Sequence, residues 1–227
     1  MTPRIAVVVP VYGNAATLDP LARRVAAALE GRDWRLRLVI DASPDDSAAV
    51  AGALAARDRR ISVSGLTVNG GQHAAIAHGL AAEPDADVWA CLDADLQDPP
   101  EALPLLLDRL ARGDVSAVFA GRRGRYESAA RRLTGGLHRW VAARLTGLPA
   151  DAGAFLAMDP AVREAVVTAV RDEGAPSVVL AVARAGRPAV SVPVERDLRT
   201  EGRSAWTGRA RLRQSLRSLS WALRFRR

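Results

Sequence analysis

The chain has 227 residues, 49% hydrophobic, with 32 basic residues against 25 acidic ones and a net charge of +7. That is enough apolar chain to bury one sizeable core, which excludes wholesale disorder, and the single Cys91 excludes a disulfide framework. All the basic residues are arginines and aromatics make up only 4%, so the charge lacks the stacking ladder that single-stranded nucleic acid needs, and no nucleic acid is expected as a partner.

Residues 1–11 carry no charged-then-apolar leader with a small-residue cleavage site. No stretch approaches the ~18 to 20 apolar residues of a membrane span, so a cytoplasmic location is expected. Ile5 to Val9 reads as a strand buried on both faces, stopped by Pro10-Val11-Tyr12-Gly13-Asn14. Helical spacing follows from Thr17 to Leu29 through Leu18, Leu21 and Val25. Leu36 to Ile40 is the second strand, and Ala48 to Arg57 the second helix. Asp41 at the strand tip is a candidate ligand, whereas Asp45 and Asp46 read as helix-initiating residues. The third strand, Ile61 to Val68, ends at Asn69-Gly70-Gly71-Gln72-His73 before a helix from Ala74 to Ala82. Such a glycine turn can cradle an anion or serve as a tight connection only. His73 and His78 read as ordinary polar helix residues, and no zinc site is expected.

The apolar run Val88 to Leu92 then delivers Asp93 and Asp95 at a strand's carboxyl end, and Pro99-Pro100-Glu101 opens a helix to about Arg112. Ligands of open α/β sheets bind beyond that end. Two carboxylates on a short loop suit Mg²⁺ or Mn²⁺, whose remaining positions go to phosphate oxygens and water. Asp85-Ala86-Asp87 has the same spacing but precedes the strand, which puts it on the opposite, solvated edge. Cys91 lies within the apolar run and reads as a buried structural thiol.

Val115 to Ala120 is a strand followed by the polar turn Gly121 to Arg125, and Ser128 to Leu145 a helix carrying Arg131, Arg132, Arg139 and Arg144. Ala154 to Met158 reads as a short strand, Pro160 to Val170 and Ser177 to Ala185 as helices, and Ala189 to Val194 as the last strand. This alternation predicts an α/β fold with a mostly parallel sheet flanked by helices. Residues 1–206 are expected to form that domain, and 207–227 a basic amphipathic helix. There Leu212, Leu216, Leu219 and Leu223 share a face, with Trp221 and Phe225 nearby. It suits an anionic membrane surface, or packing on the domain or a dimer contact.

Four motifs stand in order: Val8-Val9-Pro10-Val11-Tyr12, Asp41-Ala42-Ser43-Pro44-Asp45-Asp46-Ser47, Asn69-Gly70-Gly71-Gln72-His73-Ala74-Ala75, and Asp93-Ala94-Asp95-Leu96-Gln97-Asp98-Pro99-Pro100-Glu101. Together the set resembles the family 2 glycosyltransferases of GT-A (Rossmann-like) fold. The likeness is greatest to their polyprenyl-phosphate branch, which includes dolichol-phosphate-mannose synthase and undecaprenyl-phosphate sugar transferases. It extends through Gly121-Arg122-Arg123 and Leu148-Pro149-Ala150-Asp151.

The resemblance implies inverting transfer of a sugar from a nucleotide diphosphate sugar to a polyprenyl phosphate at the cytoplasmic membrane face, with Mn²⁺ or Mg²⁺. By it, Pro10, Tyr12, Asp41 and Gln72 would line the nucleotide pocket. Asp93 would touch nucleotide and metal, and Asp95 and Gln97 would complete the coordination. Arg123 and Arg131 would hold the acceptor phosphate, and Arg199, Arg203 and Ser204 would close over the diphosphate.

Two departures bear on the acceptor. Ile40 stands where the family usually has a first acid beside Asp41, and Asp151-Ala152-Gly153-Ala154-Phe155-Leu156 lacks the acid and arginine of the family's Asp-x-Gly-Asp-Phe-Arg. A phosphate acceptor, with a second pKa near ~6, is already anionic and needs no general base. A hydroxyl acceptor would need Asp98 or Asp151 in that role. A soluble hydroxyl acceptor and a degenerate anion-binding scaffold are the alternatives.

Overall fold

The computed structural model describes residues 2–123, 144, 146–196 and 220–221. One sheet has the strand order β3-β2-β1-β4-β6-β5-β7. β1 (Arg4–Val11), β2 (Asp33–Asp41), β3 (Ile61–Leu66) and β4 (Val88–Cys91) are mutually parallel. β5 (Ala117–Arg123) and β7 (Ala189–Glu195) pair in parallel, and the short β6 (Leu156–Met158) lies antiparallel between β4 and β5. The sheet is therefore mostly parallel, as the alternation predicts.

Alternation within β1 shows how the layers form. Ile5, Val7, Val9 and Val11 face one apolar core, while Ala6 and Val8 face the other. α1 (Ala15–Ala28), α2 (Ser47–Arg57) and α4 (Leu103–Leu110) supply the first core through Leu18, Leu21, Val25, Leu54, Leu103 and Leu106. α3 (Gln72–Ala81), α5 (Pro160–Arg171) and α6 (Val178–Arg184) supply the second through Ile76, Leu80, Val162, Val166 and Leu180. Each fully buried aliphatic side chain contributes about 1.5–3 kcal/mol relative to exposure. α3 lies so close to the sheet that a Cβ on Gly79 would collide with Val8 and Val39.

The structure moves some sequence boundaries. Gly121 to Arg123 continue β5 instead of turning, because they pair with Pro193, Val194 and Glu195 of β7. α3 begins at Gln72, directly after Gly71 takes φ +83. A single 3₁₀ turn at Pro100–Ala102 precedes α4. α5 is capped by Asp159, which accepts from Val162 N at 2.8 Å, and α6 by Ser177, which accepts from Leu180 N at 3.2 Å.

Among the described residues no helix is long and apolar enough to cross a membrane. Of the expected 207–227 helix, Ser220 and Trp221 are described and the remainder lies outside the described residues. Trp221 is buried in the second core, and its indole Nε1 donates to Glu173 O at 3.4 Å.

Candidate active site at the carboxyl ends of β1, β2 and β4

The chain builds β1, β2 and β3 outward on one side, then returns to place β4 on the other side of β1. That reversal makes the carboxyl ends of β1 and β4 a topological switch point, and open α/β sheets bind ligands in the crevice outside such strand ends. Asp93 and Asp95 follow β4 at this edge, Tyr12 follows β1, and Asp41 ends β2. Asp85 and Asp87 lie at the opposite edge, where Asp87 Oδ2 accepts from Arg4 N at 2.8 Å and Asp85 O accepts from Arg4 Nη1 at 2.9 Å.

Several contacts fix the loop after β4. Thr17 Oγ1 donates to Ala94 O at 2.7 Å, tying the loop to α1. Asp95 Oδ1 accepts from Gln97 N at 3.1 Å, and Leu96 between them takes φ +61. A bulky residue in that left-handed region is strained, and such strain persists only where the surroundings enforce it. Asp93 Oδ1 accepts a short hydrogen bond from Gln72 Nε2, which brings the first residue of α3 to the loop. Asp93, Asp95, Gln97 and Gln72, expected as site residues, thus share one corner of the crevice.

Asp41 is 3% exposed, and its carboxylate accepts from Gly70 N at 2.7 Å and Gly71 N at 2.8 Å. The glycine turn does cradle an anion, and that anion is the chain's own Asp41. Pro10 is buried within β1, whereas Tyr12 at its end is 47% exposed.

Asp45 has a larger part than helix initiation. The N-cap of α2 is Asp46, without a side-chain cap bond, while Asp45 Oδ2 accepts from Ala15 N at 3.1 Å. Ser43 Oγ accepts from Gly13 N at 2.8 Å and donates to Asp45 at 2.6 Å, and Ser47 Oγ accepts from Asn14 N at 3.1 Å. The loop after β2 therefore clamps the loop after β1 through the amides of Gly13, Asn14 and Ala15. Burial pushes the Asp45 pKa up, but the hydrogen bonds from Ser43, Ser47 and Ala15 outweigh it and hold the carboxyl at about 2.

Arg196, one residue past β7, is the functional candidate that sequence reasoning missed. Its Nε and Nη2 both lie 2.7 Å from Asp98 Oδ1, and Nη2 is 3.8 Å from Asp93 Oδ2. The Arg196 side chain is only 9% exposed and that of Asp98 4%. Burial alone would lower the guanidinium pKa, and the carboxylates of Asp98, Asp93 and Asp95 more than offset it, leaving it raised. Asp98 also accepts from Asp93 N at 3.4 Å, so it is a structural anchor of the loop. Asp151, the other base candidate, lies against Gly121 beside Ser191, where any Cβ on Gly121 would collide with its carboxylate.

The β5 strand carries the Arg123 backbone, but its side chain lies outside the described residues, as do Arg131, Arg199, Arg203 and Ser204.

The Glycosyl transferase family 2 model matches residues 6–149. An undecaprenyl-phosphate 4-deoxy-4-formamido-L-arabinose transferase of Pseudomonas aeruginosa is 43% identical over 147 residues, which cover 63% of this chain and 43% of that relative. A protein of the same name from Sodalis glossinidius is 38% identical over 147 residues, 63% of this chain and 44% of that relative. The chain thus spans less than half the length of these curated relatives. Among solved structures, a Pyrobaculum calidifontis mannosyltransferase in complex with GDP-Man and Mn²⁺ superposes with a TM-score of 0.70 at 18% identity. That alignment covers 99% of this chain and 65% of the other. Glucosyl-3-phosphoglycerate synthase from Mycobacterium tuberculosis, in complex with Mn²⁺, UDP and glucosyl-3-phosphoglycerate, gives 0.67 at 18% identity, covering 99% and 80%. The architecture is that of the GT-A glycosyltransferases. With the family model spanning most of its length and the ordered motifs gathered at one crevice, the chain belongs to glycosyl transferase family 2.

Proposed function

We propose that the chain transfers a sugar from a nucleotide diphosphate sugar to a polyprenyl phosphate, with inversion and with help from a divalent cation. The observation that carries this reading is the loop after β4, where Asp93 and Asp95 stand at the strand-end crevice with Gln72 bonded to Asp93. The names of the curated relatives support the acceptor class.

The donor set fits a hard cation. Asp93, Asp95 and Gln97 offer only oxygen ligands, and the Asp93 side chain keeps 24% exposure. Among the described residues no cluster of three or more His, Cys, Asp or Glu could hold a metal by itself. Asp93, Asp95 and Gln97 would hold an Mn²⁺ or Mg²⁺ ion. Such an ion supplies charge stabilisation to the departing nucleoside diphosphate.

The protein's own part is positioning. Tyr12 would line the nucleotide pocket, the clamp from Asp45 shapes the loop that follows it, and Gln72 orients Asp93. In the proposed step an acceptor phosphate oxygen attacks the anomeric carbon as its bond to the diphosphate oxygen breaks, and the nucleoside diphosphate leaves with the bonding pair. The acceptor anion needs no base, which accords with the pairing of Asp98 to Arg196. Arg123 and Arg131 would take the acceptor phosphate, Arg199, Arg203 and Ser204 the diphosphate, and the basic 207–227 segment the inner membrane face.

The test begins with thermal stability of the purified chain with UDP, GDP and dTDP, each with Mn²⁺ and with EDTA. A ligand bound only by the folded state raises apparent stability, and one preferred, metal-dependent nucleotide is expected. The matching donor sugar is then offered to undecaprenyl phosphate in vesicles and to water-soluble alcohols. Transfer to the lipid phosphate supports the reading, transfer only to alcohols replaces the acceptor, and no nucleotide-dependent shift overturns it in favour of an anion-binding scaffold.

A further inference from the structure

We propose that Arg196 is a built-in counter-cation that competes with the divalent ion for Asp93, so that metal binds tightly only together with the nucleotide diphosphate. The inference rests on the metal and donor reading above and adds to it the order in which the charges are assembled.

Two carboxylates lie at this guanidinium, Asp98 at 2.7 Å and Asp93 at 3.8 Å. Asp98 anchors it through two contacts of 2.7 Å, and both side chains are almost wholly buried. Removing Arg196 from that position would strand a buried carboxylate, so the guanidinium stays close to the loop. Its Nη2 is 3.8 Å from Asp93 Oδ2, while Asp93 Oδ1 is taken by Gln72. A cation that approaches Asp93 therefore meets Arg196 at short range and shares a carboxylate with it. Like charges at such separations in a partly buried site repel measurably.

A diphosphate changes that balance. It brings negative oxygens to the same corner, where they can face the metal and the guanidinium at once. An arginine fork is well suited to phosphate oxygens. Once the diphosphate is present, the cation and Arg196 cease to compete for one carboxylate. Metal and nucleotide then strengthen each other's binding, and the coupling is the same whichever binds first.

Mn²⁺ titration of the purified chain, followed by the electron paramagnetic resonance of the free ion, reads this directly. It is run without nucleotide and with whichever of UDP, GDP and dTDP gives the largest thermal shift. Arg196→Met should bind Mn²⁺ alone about tenfold more tightly than the wild-type chain, and the gain from added diphosphate should fall by a similar factor. Asp98→Asn keeps the guanidinium but removes a negative charge beside it, so Mn²⁺ alone should bind more weakly. Opposite directions in the two variants are the signature, because a purely structural ion pair would weaken metal binding in both. Unchanged or weaker Mn²⁺ binding by folded Arg196→Met overturns the inference. Should that variant not fold, unchanged or tighter binding by Asp98→Asn overturns it. If the wild-type chain binds no Mn²⁺ even with the diphosphate, the metal reading itself fails, and this inference fails with it.

Discussion

The carboxylate of Asp41 closes the turn that begins α3: one oxygen accepts from Gly70 N at 2.7 Å and the other from Gly71 N at 2.8 Å. β2 and the turn after β3 are thereby locked, and Gln72, the next residue, is aimed at Asp93. Asp41→Asn turns one acceptor into a donor facing a backbone N–H. The loss of a buried satisfied amide should cost about 1–3 kcal/mol in urea unfolding. Asp41→Ala should leave both amides without their carboxylate and cost at least as much.

Gln72→Leu removes the amide that orients Asp93 while keeping the side-chain bulk. Since Gln72 opens α3 and lies outside the main apolar cores, the melting temperature should change little. The expected loss is about tenfold in kcat/KM for sugar transfer, equivalent to roughly 1.4 kcal/mol of transition-state stabilisation. Gln72→Glu, which sets a carboxylate against Asp93, should lose more. Equal rates in all three proteins would remove Gln72 from the site.

His73 makes stability depend on pH. Burial lowers its pKa from 6.5 to about 4, and its Nδ1 accepts from Val178 N at 3.4 Å, which requires the neutral ring. The unfolded chain takes up the proton near the ordinary value, so it binds more protons than the native state between these limits. Stability from this residue is complete above about 6.5 and is lost as pH falls toward about 4. In a series of urea titrations, His73→Gln should flatten the slope of unfolding free energy across that window. The same slope in both proteins would contradict the assignment.

Gly79→Ala tests the packing of α3 on the sheet. In an open helix the change would be stabilising by helix propensity, but here the new methyl meets Val8 and Val39, both stiff and fully buried. Overpacking should dominate, with a net loss of about 1–3 kcal/mol measured by denaturant unfolding.

The parts of the fold readable in the sequence are those where local signals agree. Ile5 to Val9 and Val88 to Leu92 are apolar runs that end in polar residues, and the strand-end placement of Asp93 and Asp95 follows from that pattern alone. The missed features depend on residues far apart in the chain. Asp45 looks like a helix-initiating acid until the amide of Ala15 is folded against it. Arg196 is a single arginine after a strand, and only the register of β7 with β5 and the buried Asp98 give it meaning. Gly121 to Arg123 have turn-like composition and become strand because β7 is available to pair with them. Equally, nothing in Leu156 to Met158 reveals the antiparallel direction that the order of the sheet imposes.

The burial of Cys91 gives this protein an internal clock. It is the chain's single cysteine, wholly enclosed in β4 between β1 and β6 and two residues before Asp93, with its thiol pKa pushed up by burial and by that carboxylate. A thiol reagent can reach it only when this junction opens, so its labelling rate counts openings of the sheet next to the site. A donor analogue that tightens the loop after β4 would slow the count, whereas loosening confined to the far edge of the sheet would leave it unchanged.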